Sequence, residues 1–157
     1  MRSLLFFLMI AAAPAAAQST PLLGPTPGSF IALSVADIDR MTTWYRDTLG
    51  FTVYSQGQAP NNPQIRFALL HQNNSILEII QLPDAKPFAE VAPGRAGPWQ
   101  VHGSFKVGFV VEQLDSVYAH FQRQGREFAF RLSELDGPYR AFGFIDPEGN
   151  LIQFFGR

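Results

Sequence analysis

One pattern occurs twice in this chain and strongly limits the folds that it can adopt. A strand-like run is followed by a helical run from Asp37 to Gly50, and a second strand-like run is followed by a helical run from Glu112 to Gly125. In each copy the acidic residue and the glycine are the same number of positions apart. Each half then continues with three further strand-like segments. The sequence therefore predicts two like modules that share one core, with a site between them.

The first module is predicted over about residues 29–82. Phe30 to Val35 is continuously apolar or small, which is typical of a strand covered on both faces. Asp37 is a suitable N-cap for the helix that follows, and Gly50 can end that helix in the left-handed conformation. The apolar stripe of the helix comprises Ile38, Met41, Tyr45 and Leu49. Three strands are predicted next, over residues 51–54, 65–71 and 75–81.

The second module is predicted over about residues 104–157. In its first strand, residues 104–111, Val107 and Phe109 share one face while Lys106, Gly108 and Val110 share the other. A helical stripe follows, and strands are predicted over residues 128–132, 139–145 and 150–155. The helical stripe comprises Leu114, Val117, Tyr118 and Phe121. Residues 83–103, rich in proline, form a crossing loop between the modules.

The N-terminus has the pattern of an export signal. A positive start, an apolar run and three alanines before Gln18 predict a cleavable signal peptide at residues 1–17, although an uncleaved anchor helix remains an alternative. Residues 18–28 contain several prolines and glycines and are predicted to be a linker. A single domain over residues 29–157 follows. We therefore expect an exported protein, periplasmic or secreted, without a stable membrane anchor.

Composition excludes several function classes. The formal net charge is −1 and the basic residues are scattered, so the chain shows no nucleic-acid-binding stripe. It contains no cysteine, which excludes disulfides, thiolate metal sites and cysteine nucleophiles.

Three motifs resemble those of a known superfamily. The chain resembles the vicinal oxygen chelate superfamily, which includes glyoxalase I, bleomycin-resistance proteins and extradiol dioxygenases, over about residues 29–157. The resemblance implies an α+β fold in which paired βαβββ modules form a cupped mixed sheet around a central small-molecule cavity. It also implies a divalent metal, often held by one residue from the first and one from the last strand of each module. The motifs are Val35-x-Asp37-(x)7-Tyr45-(x)3-Leu49-Gly50-Phe51, Leu77-Glu78-Ile79 and Asp146-Pro147-x-Gly149-Asn150-(x)2-Gln153.

The four positions that the resemblance assigns to a metal carry Phe30, Glu78, Lys106 and Gln153. Only Glu78 is a good ligand, and an ammonium group repels a cation, so we expect no metal. A buried charge requires a partner, and an ion pair between Lys106 and Glu78, bridged by Gln153, is predicted in the cavity instead. A divalent metal remains an alternative if His102 joins Glu78.

The role of this predicted ion pair is open. It could merely stabilise a degenerate site. Alternatively, Lys106 could hold an anionic or carbonyl ligand, or Glu78 could act as a general base; these two residues are the catalytic candidates.

Further residues are candidates for lining the cavity. Arg66 either reaches the cavity or lies at a solvated edge, and Trp99, with Phe88, belongs to a loop that could cover it. Phe155 could line an apolar pocket together with Phe142 and Phe144, although such residues usually form core. The remaining histidines, His71 and His120, are expected at the surface.

These predictions leave three function classes. The first is a protein that binds a small molecule without metal. The second is a metal-dependent lyase, isomerase or dioxygenase that uses Glu78 and His102, and the third is a metal-free enzyme with Glu78 as general base. The expected partner is a small molecule, with a homodimer as a further possibility, and the two modules could pair within one chain or between two.

Overall fold

The computed structural model describes residues 28–135 and 137–157. The predicted signal peptide and all of the predicted linker except Gly28 lie outside the described residues. The first module consists of β1 (Ser29–Ser34), α1 (Ile38–Leu49), β2 (Thr52–Ala59), β3 (Asn62–Gln72) and β4 (Ser75–Gln81). After a connection that contains the short helix α2 (Phe88–Val91) and a 3-10 turn (Pro98–Gln100), the second consists of β5 (Lys106–Val110), α3 (Leu114–Arg123), β6 (Phe130–Glu134), β7 (Arg140–Ile145) and β8 (Leu151–Gly156).

Each module contains one four-stranded mixed sheet. The strand order is β1-β4-β3-β2 in sheet 1 and β5-β8-β7-β6 in sheet 2. In both sheets the first and last strands of the module pair in parallel, and the other neighbours pair antiparallel. The prediction of an α+β fold built from two βαβββ modules is confirmed.

The two helices start differently. Asp37 caps α1 by accepting a hydrogen bond from the backbone N of Arg40, as predicted. The N-cap of α3 is Gln113, and its side chain makes no capping bond. Asp37 therefore corresponds to Gln113 and not to Glu112, because these two residues are the N-caps, and the spacing from the N-cap to the glycine is one residue shorter in the second module. Both glycines adopt the left-handed conformation, with φ of 75° at Gly50 and 68° at Gly125.

One hydrophobic core joins both modules. The side chains that each sheet turns toward its helix are buried together with the apolar stripes of α1 and α3. Aromatic rings connect the halves directly, with centroid distances of 5.7 Å between Phe51 and Phe109 and 6.2 Å between Trp44 and Phe144. Phe144 and Phe142 are fully buried, so they belong to the core and do not line a pocket.

Among the described residues, no helix covers the opposite side of either sheet, and we call this side the free face. Phe30 is 60% exposed, and Ala32 and Ser34 are also exposed, so the prediction that β1 is covered on both faces is wrong. An apolar run can form an edge strand whose second face remains open. The free face of sheet 1 includes Phe30, Ala32, Ser34, Glu78 and Ile80, and that of sheet 2 includes Lys106, Gly108, Val110, Gln153 and Phe155.

An ion pair is duplicated between the modules. Arg66 of β3 donates two hydrogen bonds to Asp39 of α1, and Arg140 of β7 donates two to Asp115 of α3. In each pair the arginine hydrogen bonds lower the pKa of the aspartate below its usual value. The repeated sequence therefore extends to side chains that fix each helix on its sheet.

Polar contacts also join the modules. The turn between β7 and β8, residues 146–150, which we call the clasp turn, packs against the start of α1. The Glu148 carboxylate accepts hydrogen bonds from the backbone N of Ala36 (2.7 Å) and of Asp37 (2.9 Å). The buried Tyr45 hydroxyl donates to Asp146 Oδ2 at 3.0 Å. Burial, and then the nearby Asp146 carboxylate, raise the pKa of Tyr45 above its usual value.

The helices that the structure describes are all too short or too polar to cross a lipid bilayer.

Candidate functional site

Strand registers place the four candidate positions equivalently in the two sheets. In sheet 1, Phe30 pairs with Ile76, two residues before Glu78. In sheet 2, Lys106 pairs with Leu151, two residues before Gln153. Phe30 and Lys106 therefore correspond, as the sequence predicts, and each shares a free face with its module's last-strand residue.

Lys106 and Gln153 contact each other. The Lys106 Nζ donates to Gln153 Oε1 at 2.7 Å, and it also lies 5.3 Å from the centroid of the Phe105 ring. Parallel pairing of β5 with β8 places the two side chains diagonally on one face, within reach of a long lysine stem. The ammonium group is thus held at a defined position on an accessible surface.

Glu78 lies apart from this pair. Its side chain is half-buried on the free face of sheet 1, and within the described part of the chain it makes no hydrogen bond and no ion pair within 4.0 Å. The predicted ion pair between Lys106 and Glu78 is therefore wrong for the single chain. The two residues belong to different sheets, and the neighbour that Lys106 meets in its own sheet is Gln153.

Arg66 lies on the wrong side of its sheet to join Glu78. The register places Leu69 opposite Glu78, so alternation turns Arg66 to the helix-covered face, where it binds Asp39. The prediction that Arg66 could reach the cavity is wrong.

Two other predicted lining residues are more accessible. Phe155 lies on the free face of sheet 2, stacked on Tyr139 with ring centroids 4.8 Å apart. Trp99 is 61% exposed in the connection between modules. His71 and His120 are exposed, as expected.

A groove of about 470 Å³ runs between the edge strands β1 and β5. It is lined by Phe30 and Lys106, which the structure thus brings together, and also by Phe105 and Asn150. The sequence did not predict Phe105 as a lining residue, because alternation along the strand places it on the same face as the apolar residues Val107 and Phe109. Asn150 could have been found, since it belongs to the Asp146 motif quoted for the superfamily.

The residues at the four positions do not fit a divalent cation. Phe30 has no atom that can bind a metal, and Lys106 carries a positive charge. The side-chain oxygen of Gln153 already accepts a hydrogen bond from Lys106. Among the residues that the structure describes, no three histidine, aspartate or glutamate side chains lie close enough together to hold a metal ion. His102 is exposed in the connection, and among the described residues no third histidine, aspartate or glutamate side chain joins it and Glu78 in a cluster.

Comparison with known proteins identifies the fold and the family. A model of the Glyoxalase/Bleomycin resistance protein/Dioxygenase superfamily matches residues 29–154. A search of curated proteins gave no match.

Many solved structures are similar. A glyoxalase family protein from Bacillus cereus is 17% identical, with a TM-score of 0.61 over 90% of this chain and 98% of that one. A glyoxalase family protein from Enterococcus faecalis is 22% identical, with a TM-score of 0.61 over 82% and 94%. Lactoylglutathione lyase from Agrobacterium tumefaciens is 17% identical, with a TM-score of 0.59 over 84% and 94%. At these identities the likeness concerns the fold alone.

Proposed function

Because the chain belongs to the Glyoxalase/Bleomycin resistance protein/Dioxygenase superfamily, we propose that it is an exported protein that binds a small anionic or carbonyl-bearing molecule through Lys106, without a divalent metal. The observation that carries this proposal is the 2.7 Å contact between Lys106 Nζ and Gln153 Oε1. Lys106 and Gln153 stand at two of the four positions where the superfamily resemblance implies metal ligands, and they place a fixed ammonium group there.

The ammonium group retains capacity for a ligand. A lysine has three N–H donors, and Gln153 accepts one of them, so two remain for a carboxylate or carbonyl oxygen. The adjacent Phe30 and Phe105 rings supply an apolar surface for the rest of the molecule. A charge-assisted hydrogen bond beside an apolar wall is a common way of fixing a small anion.

The free faces support a homodimer. Phe30 and Val110 are large apolar residues exposed on the two free faces, at 60% and 82%. Glu78 on one free face and Lys106 on the other carry opposite charges. A second copy that covers these faces would place Glu78 of one chain near Lys106 of the other.

A second candidate is a metal-free enzyme that uses Glu78 as a general base. A half-buried carboxylate with no hydrogen bond from the described residues is free to accept a proton from a bound substrate. In that case Glu78→Gln abolishes turnover while binding persists.

The direct test is binding of pyruvate, which carries both a carboxylate and a carbonyl, measured by calorimetry. We expect Lys106→Met to weaken binding by about tenfold or more, as the loss of a charge-assisted hydrogen bond implies. The matched control is Lys86→Met, because Lys86 lies in the connection and pairs with Glu90. Equal binding by wild type and Lys106→Met would contradict the proposal.

Elemental analysis of protein from the exported fraction tests the metal. One equivalent of iron, manganese, nickel or zinc would overturn the metal-free proposal. N-terminal sequencing of the same sample should begin at Gln18, and a chain that begins at Met1 in the cell interior would contradict export.

For the enzyme alternative, mixing two variants that lack turnover tests whether two chains share the site. A Glu78→Gln chain and a Lys106→Met chain would together restore turnover at about a quarter of the sites, since each mixed dimer contains one site with both native residues. If one chain supplied both residues, every site would remain defective.

A further inference from the structure

The residue that follows the helix-ending glycine differs in kind between the modules. In the first module it is Phe51, which is 2% exposed and packs against the rings of Tyr45 and Phe109. In the second module it is Arg126. A place that belongs to the core at one junction between the modules is thus taken, at the other junction, by a side chain with a positive charge.

Two aromatic rings, one from each module, hold the guanidinium group of Arg126. Its Cζ atom lies 5.7 Å from the ring centroid of Trp44 and 5.3 Å from that of Phe144. The side chain is half-buried, and its Nε atom is inaccessible and makes no hydrogen bond within the described part of the chain. Cation–π attraction to both rings therefore fixes the position of the charge.

The charge of Arg126 has no carboxylate partner within the described residues. Three other arginines, Arg46, Arg66 and Arg140, each form an ion pair with an aspartate there. The two terminal nitrogen atoms of Arg126 make no hydrogen bond to the described residues either, and they are accessible, because Nε is its only side-chain nitrogen that is buried without a partner. A charge that leaves water is costly unless an opposite charge meets it, so an arginine is a poor choice here for packing alone.

Arg126 lines an accessible groove of about 610 Å³ between the end of β7 and the segment that joins α3 to β6. The apolar part of its wall is formed by Phe128, which is half-buried, and Ile145, which is 46% exposed. The exposed Glu127 also lines it. None of these residues lines the groove that contains Lys106, so the two grooves are separate.

We propose that this groove binds a small monovalent carboxylate with a short apolar group, whose two oxygens accept hydrogen bonds from the terminal nitrogens of Arg126. A guanidinium group matches a carboxylate in a planar arrangement of two parallel hydrogen bonds. Phe128 and Ile145 give the apolar group a surface to contact. Glu127 repels a doubly charged anion more strongly than a singly charged one, which favours a carboxylate over phosphate. The site does not depend on the Lys106 proposal, and either can fail alone.

Trp44 provides a reporter for this site, because its ring packs against the guanidinium group. The chain contains two tryptophans, so in a Trp99→Phe background all tryptophan fluorescence comes from Trp44. We expect butyrate to change this fluorescence saturably. Butyramide, a neutral molecule of similar size and shape, should bind about tenfold more weakly or not at all. The NMR signal of the Arg126 Nε–H group should shift in the same titration with butyrate.

Substitutions locate the bound anion. Arg126→Met removes the charge and should weaken butyrate binding by about tenfold or more. Arg131→Met is the matched control, because Arg131 is an exposed arginine of β6 that forms no ion pair among the described residues, and this variant should bind butyrate like the wild type. Lys106→Met should leave the Trp44 response to butyrate unchanged, whatever its effect on pyruvate binding.

A second variant covers the case in which Arg126→Met fails to fold. Arg126→Lys keeps the charge but loses the two parallel hydrogen bonds, so it should weaken butyrate binding by about threefold or more. The proposal is overturned if butyramide binds as well as butyrate, or if a folded Arg126 variant binds butyrate like the wild type. It is also overturned if Lys106→Met removes the Trp44 response, or if phosphate binds more tightly than butyrate.

Discussion

The two hairpin turns at the ends of the modules occupy corresponding places and make different contacts. The clasp turn, residues 146–150, binds the other module through Asp146 and Glu148. The turn of the first module, residues 72–75, makes no such bond within the described chain, and Gln72 instead donates to the Leu49 carbonyl of its own module at 2.6 Å. One junction between the modules is thus fastened by carboxylates and the other is not.

The helices explain why the second junction has no clasp. Tyr45 is six residues after Asp39, and Phe121 is six residues after Asp115, so the two residues correspond. Phe121 has no hydroxyl and therefore cannot make the hydrogen bond that Tyr45 makes to Asp146. Both rings are buried, at 0% and 3% exposure. A groove of about 580 Å³ remains at this junction, lined in part by Gln72 and Phe121. The two modules therefore pack through buried rings at both junctions, but carboxylate hydrogen bonds between the modules form at only one of them within the described chain.

The largest effect on this comparison is expected from Asp146→Ala. The buried Asp146 carboxylate accepts hydrogen bonds from Tyr45, from the backbone N of Glu148, and from Asn150 twice. Its removal leaves these donors unpaired and should lower the free energy of unfolding by about 3–4 kcal/mol, measured by urea denaturation. Gln72→Ala, at the corresponding turn, should cost about 1 kcal/mol. Equal losses would show that the clasp turn has no special role.

Tyr45→Phe tests the clasp from the other side. It should cost about 1–2 kcal/mol at neutral pH, since the buried Asp146 loses one donor. Tyr118→Phe is the matched control and should be nearly neutral, because the Tyr118 hydroxyl makes no hydrogen bond within the described residues.

The same substitution has a consequence for pH dependence. The pKa of Tyr45 is raised in the folded chain, so its stabilising contribution is fully present below the unfolded pKa of about 10 and is lost as the pH rises above that value. The decline can reach about 1.4 kcal/mol per pH unit for one such group. Tyr45→Phe should remove this part of the alkaline destabilisation, and an unchanged slope above pH 10 would contradict the assignment.

The smallest of these effects is expected from Glu148→Gln. Its carboxylate accepts from two backbone amides at the start of α1, and an amide oxygen can replace only part of this interaction. The free energy of unfolding should fall by about 1 kcal/mol, and amide hydrogen exchange at Ala36 and Asp37 should accelerate. The backbone amides of Glu112 and Gln113, at the corresponding place in the second module, provide the internal control. Their exchange should not change.

Local patterns predicted the elements of this fold well. The apolar stripes of the helices, the glycines that follow the helices and the two faces of β5 can each be predicted from the residue pattern of a single segment. Parity also grouped Arg66 correctly with Ala68 and Leu70. Parity does not say which face the helix covers, so the sequence leaves open whether Arg66 reaches the cavity, and only the structure shows that it binds Asp39 on the helix-covered face.

Contacts between segments that are distant in the sequence are harder to predict from the residue pattern. The bond between Lys106 and Gln153 joins positions that the superfamily motifs had already placed at one site, whereas the expected contact to Glu78 depended on how the two modules pack. The packing is set by side chains such as Tyr45 and Glu148, whose partners lie in the other half of the chain. No spacing within either module encodes that geometry.

The clasp has a consequence for the order of folding. Tyr45 and Asp146 are 101 residues apart in the chain, and Glu148 is 112 and 111 residues from the two amides that it binds. Such contacts close large loops, so they form only after nearly all of the chain is available, and folding that relies on them is slow. A nascent chain that lacks its C-terminal hairpin cannot complete its most buried polar contact. For the exported protein that we propose, this delay lengthens the time in which the chain can cross a membrane before it folds.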